Sequence, residues 1–93
     1  MTISNDALIA LKKTLTQRIE VPNDAFSRRN LVESFVGQVI LVEDFREGTG
    51  AGTVEETKNN SGCYLLRNNG DSKLYCYHNL KVIYCRPQRS PIL

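Results

Sequence analysis

The residues with the most distinctive chemistry in this chain are Cys63, Cys76, Cys85 and the single histidine, His78. Four such side chains are enough for a tetrahedral Cys3His zinc site, and Cys76 and His78, two apart on an extended strand, would share a face. Structural zinc sites, however, use close ligand pairs of the Cys-x2–4-Cys kind, and neither Cys63 nor Cys85 has a cysteine at that spacing. The pattern reads instead as thiols packed as small hydrophobes. A Cys76–His78 nucleophile and base would need a third group to orient the base, and none is legible. No metal, no cofactor and no catalytic residue is expected, and the chain reads as non-enzymatic.

A second set of residues is suited to binding. Lys73, Lys81, Arg86 and Arg89 are interleaved with Tyr75, Tyr77 and Tyr84. Cations held near aromatic rings can take phosphates and stack bases, as single-stranded nucleic acid requires. The charges are also segregated along the chain. Glu43, Asp44, Glu47, Glu55 and Glu56 stand against Arg46 alone, whereas Arg67, Lys73, Lys81, Arg86 and Arg89 stand against Asp71 alone. The net charge of +2 therefore hides an acidic segment followed by a basic one. That segregation suits a basic nucleic-acid surface, or acidic-to-basic assembly between copies. It also suits a solvated surface whose lysines protect strand edges.

On alternating parity Leu74, Cys76 and His78 point to one side of their strand, and Tyr75 and Tyr77 to the other. Taking Leu74 and Cys76 as the core side leaves the tyrosines outward as an aromatic patch. The competing reading has an N-terminal helix covering the tyrosine pair.

Helices and strands must position these groups. Leu8, Leu11, Leu15 and Ile19 recur at spacings of three and four, which predicts a helix from Asp6 to Ile19. Pro22 breaks it, and Asn23 or Asp24 can cap a second helix to about Ser34 or Phe35, ended near Gly37. From Val36 onward the texture is strands and turns: 36–44, 53–57, 63–67, 73–77 and 81–86. Gly48-Thr49-Gly50-Ala51-Gly52 reads as a mobile hairpin loop, since the strand and acidic residues after it exclude a phosphate-binding glycine motif. Asn59-Asn60-Ser61-Gly62 is a turn, and Asn68-Asn69-Gly70-Asp71 holds Asn-Gly, a strong two-residue hairpin signal. Pro87 and Pro91 close the chain in a loose tail.

Five short strands with a brief turn at Tyr77-His78-Asn79-Leu80 before the last one resemble the small barrels of the SH3-like and Sm-like (Hfq-type) group, over residues 36–86. Gly52 and Val54 fall where that group carries second-strand signatures, and the resemblance would give His78 the place of a histidine lining an RNA-binding pore. Tyr77 stands where the Hfq type has a lysine, and Asn59 or Asn60 where an acidic residue is expected. The resemblance implies an α+β protein: one or two N-terminal helices packed on a five-stranded, strongly bent antiparallel barrel.

Composition agrees with one globular domain of 93 residues, 41% hydrophobic and 24% charged, with no low-complexity tract. It divides into a helical part at 1–35, a barrel at 36–86 and a tail at 87–93. No apolar run approaches the ~20 residues of a membrane span, and no basic-then-apolar leader is visible, so a cytoplasmic, non-membrane protein is expected. The functional expectation is a homo-oligomeric binding module. It would take RNA or single-stranded DNA through Lys73, Tyr75, Tyr77, His78, Lys81, Arg86 and Arg89. The alternative is a protein-interaction or assembly module, an adaptor or inhibitor of the kind mobile elements carry.

Overall fold

A computed structural model describes residues 5–56 and 62–87. Its elements in chain order are helix α1 (Asn5–Thr14), strand β1 (Gln17–Glu20), helix α2 (Ala25–Glu33) and strands β2 (Val39–Asp44), β3 (Gly48–Glu55), β4 (Cys63–Asn68) and β5 (Asp71–Cys76). A 3-10 turn (Tyr77–Asn79) then leads into β6 (Leu80–Cys85). All six strands pair antiparallel in one open sheet of order β1-β6-β2-β3-β4-β5. The protein is α+β as expected, but the sheet has a sixth strand and pairs as an open sheet where a five-stranded barrel was expected.

The extra strand comes from the C-terminal part of the predicted first helix. The helix stops at Thr14, whose hydroxyl donates to the Leu11 carbonyl that the Leu15 amide also uses. Gln17–Glu20 then runs beside β6, with Ile19 opposite Ile83. The four-residue spacing of Leu15 and Ile19 would share one face of a continued helix, but the helix ends at Thr14 and only Ile19 lies in β1. The two side chains in fact serve different cores. Leu15 joins Leu41 and Ala51, while Ile19 joins the cluster around Ile83.

The second helix matches its sequence signals. Asp24 caps α2 by accepting from the Ser27 amide at 2.8 Å, which holds its carboxyl below the usual range. Gly37, at φ +85°, turns the chain after Ser34 and Phe35. Residues 36–38 then cross the end of β3, where Gly37 N–H donates to Val54 and the Val54 amide to Gln38. The strand expected from Val36 therefore begins three residues later.

The sheet carries a core on each face. On one, α2 and the turn after it place Val32 and Phe35 against Ile40, Val42, Val54, Tyr64, Leu66, Tyr75, Tyr77, Leu80, Ile83 and Cys85. On the other, Leu8 and Leu11 of α1, with Leu15, cover Leu41, Ala51 and Tyr84.

The glycine cluster belongs to β3, where a loop was expected. A Cβ at Gly50 would collide with the Tyr75 hydroxyl, and one at Gly52 would lie 2.5 Å from the Arg67 carbonyl oxygen. Close packing against β4 and β5 explains these glycines. The reversal between β2 and β3 is instead made by 45–47. The Asn-Gly hairpin forms as expected, with Asn69 at φ +52° and Gly70 at φ +85°, and it pairs Asn68 with Asp71. Most of the turn at 59–62, and the tail beyond Pro87, lie outside the described residues.

Candidate functional site

The hairpin register decides the fate of the tyrosines. With Asn68 opposite Asp71, Tyr64 faces Tyr75 across the β4–β5 pair. Tyr64 stacks on Tyr75 with ring centres 5.4 Å apart and meets Tyr77 at 5.1 Å. Tyr75 and Tyr77 are buried at 5% and 2% exposure, while Leu74 is 57% exposed. The expected parity is thus reversed, and neither tyrosine offers a stacking surface. Three packed rings bury far more area than Leu74 and Cys76 together, so the ring side is the core side. The covering helix on that face is α2, since α1 packs on the opposite face. Burial pushes the Tyr64 and Tyr75 hydroxyls up, with the nearby Asp44 charge adding to the effect.

The cations expected beside those rings have separate surroundings. Lys73 lies 5.4 Å from the Tyr75 ring centre but is held by Glu47 at 3.0 Å, which raises its pKa. Arg67 pairs with Glu55 at 2.6 Å, and Ser72 donates to the same carboxylate, which sits below the usual range as a result. The acidic and basic segments therefore fold against each other, and their separation in sequence produces no basic face at this hairpin. Arg86 is exposed, one strand length from Lys81, about 16 Å at 3.3 Å per residue. Arg89 lies outside the described residues.

Lys81 meets an aromatic ring at the end of the sheet where β2 turns into β3, and the segment bearing His78 is joined to that turn through its backbone. Asp44, buried at the end of β2, accepts from the Arg46 and Glu47 amides through Oδ1, both at 2.8 Å. This closes the turn 45–47 from inside. The Phe45 amide donates to the Asn79 carbonyl at 2.8 Å, which joins the turn to the 3-10 segment. The Phe45 ring is then left 71% exposed, with the Lys81 ammonium 5.5 Å from its centre. Arg46 is exposed beside it, and neither Arg46 nor Lys81 enters an ion pair among the described residues.

The 3-10 segment is fixed from behind by Arg28. Its Nη1 donates to the Tyr77 and His78 carbonyls at 3.1 and 2.8 Å, and its Nε donates to the Pro22 carbonyl. One guanidinium thus ties α2, the loop before it and the segment bearing His78. His78 itself is exposed. The arrangement offers an exposed aromatic face with an ammonium beside it, and the exposed Arg46 and His78 stand on the two backbone segments that the Phe45–Asn79 hydrogen bond joins.

Sequence reasoning missed Phe45, Arg46 and Arg28. Phe45 had a usable signal, being an aromatic ring in a polar turn between Asp44 and Arg46. Arg28 had none, because its carbonyl partners at Tyr77 and His78 are set by the tertiary fold.

Among the described residues no group of three or more His, Cys, Asp or Glu side chains is placed to hold a metal ion. Cys85 is buried in the tyrosine-side core, whereas Cys63 and Cys76 face each other across β4 and β5. No helix among the described residues is long and apolar enough to cross a membrane. Compared with protein-family models, curated proteins and solved structures, the chain matches none.

Proposed function

We propose that this protein is a non-enzymatic binding module that takes single-stranded RNA or DNA at the sheet end formed by Phe45, Arg46, His78 and Lys81. The observation that carries the reading is the exposed Phe45 ring with the Lys81 ammonium beside it and, among the described residues, no carboxylate pairing that cation. An unpaired base can stack on such a ring while Lys81 and Arg46 take the flanking phosphates. Lys73, Tyr75 and Tyr77 drop out of the proposed site, and His78 and Lys81 remain. A 3-10 turn does precede the last strand, the place where the resemblance to SH3-like and Sm-like barrels would put one.

Two phosphate contacts set the expected strength. The affinity should be weak, with a log–log salt slope near −1.4 for a single strand, from about −0.7 per phosphate. Fluorescence anisotropy with mixed-sequence single-stranded RNA and DNA, at low and near-physiological salt, tests it. Phe45→Ala should lower affinity about tenfold or more, and Arg46→Ala with Lys81→Ala should flatten the salt dependence. Flat curves in wild type, or binding indifferent to Phe45→Ala, would overturn the proposal.

A second reading rests on a different observation. Among the described residues β5 pairs on one side only, with β4, and it carries the exposed Leu74. An open edge with an apolar side chain suits strand addition by a second copy or another protein. A concentration-dependent oligomer that Leu74→Lys dissolves, in a protein indifferent to nucleic acid, would favour this assembly role.

A further inference from the structure

The hairpin register that buries the tyrosines also places two thiols together on the opposite face of the sheet. Cys63 and Cys76 are direct partners across β4 and β5, with their Sγ atoms 3.7 Å apart. The Tyr77 amide donates to the Gly62 carbonyl at 2.9 Å, so Gly62 and Tyr77 form a hydrogen-bonded pair. Such pairs alternate with non-hydrogen-bonded ones along an antiparallel ladder, so Cys63 and Cys76 occupy a non-hydrogen-bonded pair. In that position the Cα atoms approach to about 4.5 Å, inside the range a disulfide spans. Both side chains are half-buried on the face that also bears Leu74, open to a small reagent, whereas Cys85 is 1% exposed in the other core.

We propose that Cys63 and Cys76 form a reversible disulfide modification site, with a low-molecular-weight disulfide such as glutathione disulfide as the oxidant. One protein thiolate attacks a sulfur of glutathione disulfide, forming a mixed disulfide and expelling a glutathione thiolate. The second protein thiolate then attacks the protein sulfur of that mixed disulfide, and a second glutathione thiolate leaves. Two protein thiols are oxidised and one glutathione disulfide is reduced to two glutathione molecules, which take up the two protons. Burial and the neighbouring thiol push Cys63 up, so the reaction is slow near neutral pH and accelerates as the pH rises.

The bond would act on a defined part of the fold. Cys76 directly precedes the segment bearing His78, and Cys63 directly follows Gly62, whose carbonyl already holds Tyr77. A covalent link between them fastens the open end of the β4–β5 hairpin and the start of the 3-10 turn. Closing the loop between residues 63 and 76 should raise the Tm by roughly 10–20 °C.

The test is to incubate the full chain at pH 8 with glutathione disulfide and follow intact mass, thiol count and Tm. Trypsin separates the three cysteines into peptides 59–67, 74–81 and 82–89, because Pro87 protects Arg86 from cleavage. The expected result is a monomer lacking two hydrogen atoms, a cross-link joining 59–67 to 74–81, an alkylatable Cys85 after unfolding, and a raised Tm that dithiothreitol reverses. Cys63→Ser and Cys76→Ser should each stop at a glutathione adduct, while Cys85→Ala should still cross-link. The wild-type peptide map decides even if a variant does not fold. An unchanged mass, a wild-type protein that stops at a mixed disulfide, a link to Cys85, or bonds only between copies would each overturn the proposal.

Discussion

Lys73 lies 5.4 Å from the centre of Tyr75, and Lys81 lies 5.5 Å from the centre of Phe45. The two pairs are nearly alike in distance and differ in everything around them. Tyr75 is buried against Tyr64, and Lys73 is held by Glu47. Phe45 stands in solvent, and Lys81 has no carboxylate partner among the described residues. An aromatic ring beside a lysine is therefore a structural device in one region and an available surface in the other. Neighbouring carboxylates and burial separate the two cases, and neither is visible in a run of residue types.

The largest effect should come from the buried region. Tyr64→Ala removes the ring that both Tyr75 and Tyr77 contact and should cost about 3–5 kcal/mol in urea unfolding. Phe45→Ala should stay within about 0.5 kcal/mol of wild type while weakening oligonucleotide binding. Equal stability losses for the two would erase the contrast. Next in size is Gly50→Ala, whose new methyl group meets the Tyr75 hydroxyl, for an expected loss of about 1–3 kcal/mol. Restoring stability by adding Tyr75→Phe, which removes the colliding atom, would confirm that contact as the cause.

Alkaline pH should act on the buried rings in a sign that is fixed. Tyr64 and Tyr75 both have folded-state pKa values above their ordinary 10.0, mainly from burial. Their contribution is fully present below pH 10 and is lost as the pH rises beyond it. Denaturant midpoints should therefore fall steeply above pH 10, and Tyr64→Phe should flatten that fall. At neutral pH the same variant should lie within about 1 kcal/mol of wild type, because the Tyr64 hydroxyl has no hydrogen-bond partner among the described residues. The smallest effect is Glu47→Gln, which releases a half-exposed lysine and should cost less than about 1 kcal/mol. Any gain in oligonucleotide affinity from that change would mark how far a neutralised cation can be recruited to the binding surface.

Much of the fold was legible because local chemistry agreed with the final structure. Asp24 capped a helix, Asn69-Gly70 made a hairpin, and Tyr77–Asn79 made a short turn. The site was less legible. Parity alone offered two sides for Leu74 and Tyr75, and the choice went to the wrong one. Carried across Asn69-Gly70, the register would have set Tyr64 opposite Tyr75 and Cys63 opposite Cys76, and three rings on one side would have outweighed Leu74. The β1 strand was hidden because Ile19 extended a helical spacing. Its partner, β6, lies some sixty residues away, beyond any local signal. The charge segregation misled for a related reason, since Glu47–Lys73 and Glu55–Arg67 cancel only after the strands meet.

That distant pairing also orders the folding of the chain. Strands β2 to β5 follow one another as a meander, so each pairing closes a short loop at low entropic cost. β1 has no partner until β6 has been synthesised and has docked beside β2, so residues 17–20 wait through most of translation. β1, the earliest-synthesised of these six strands, should thereby be the last of them to be ordered, and its amides should be among the first of the sheet to exchange with solvent.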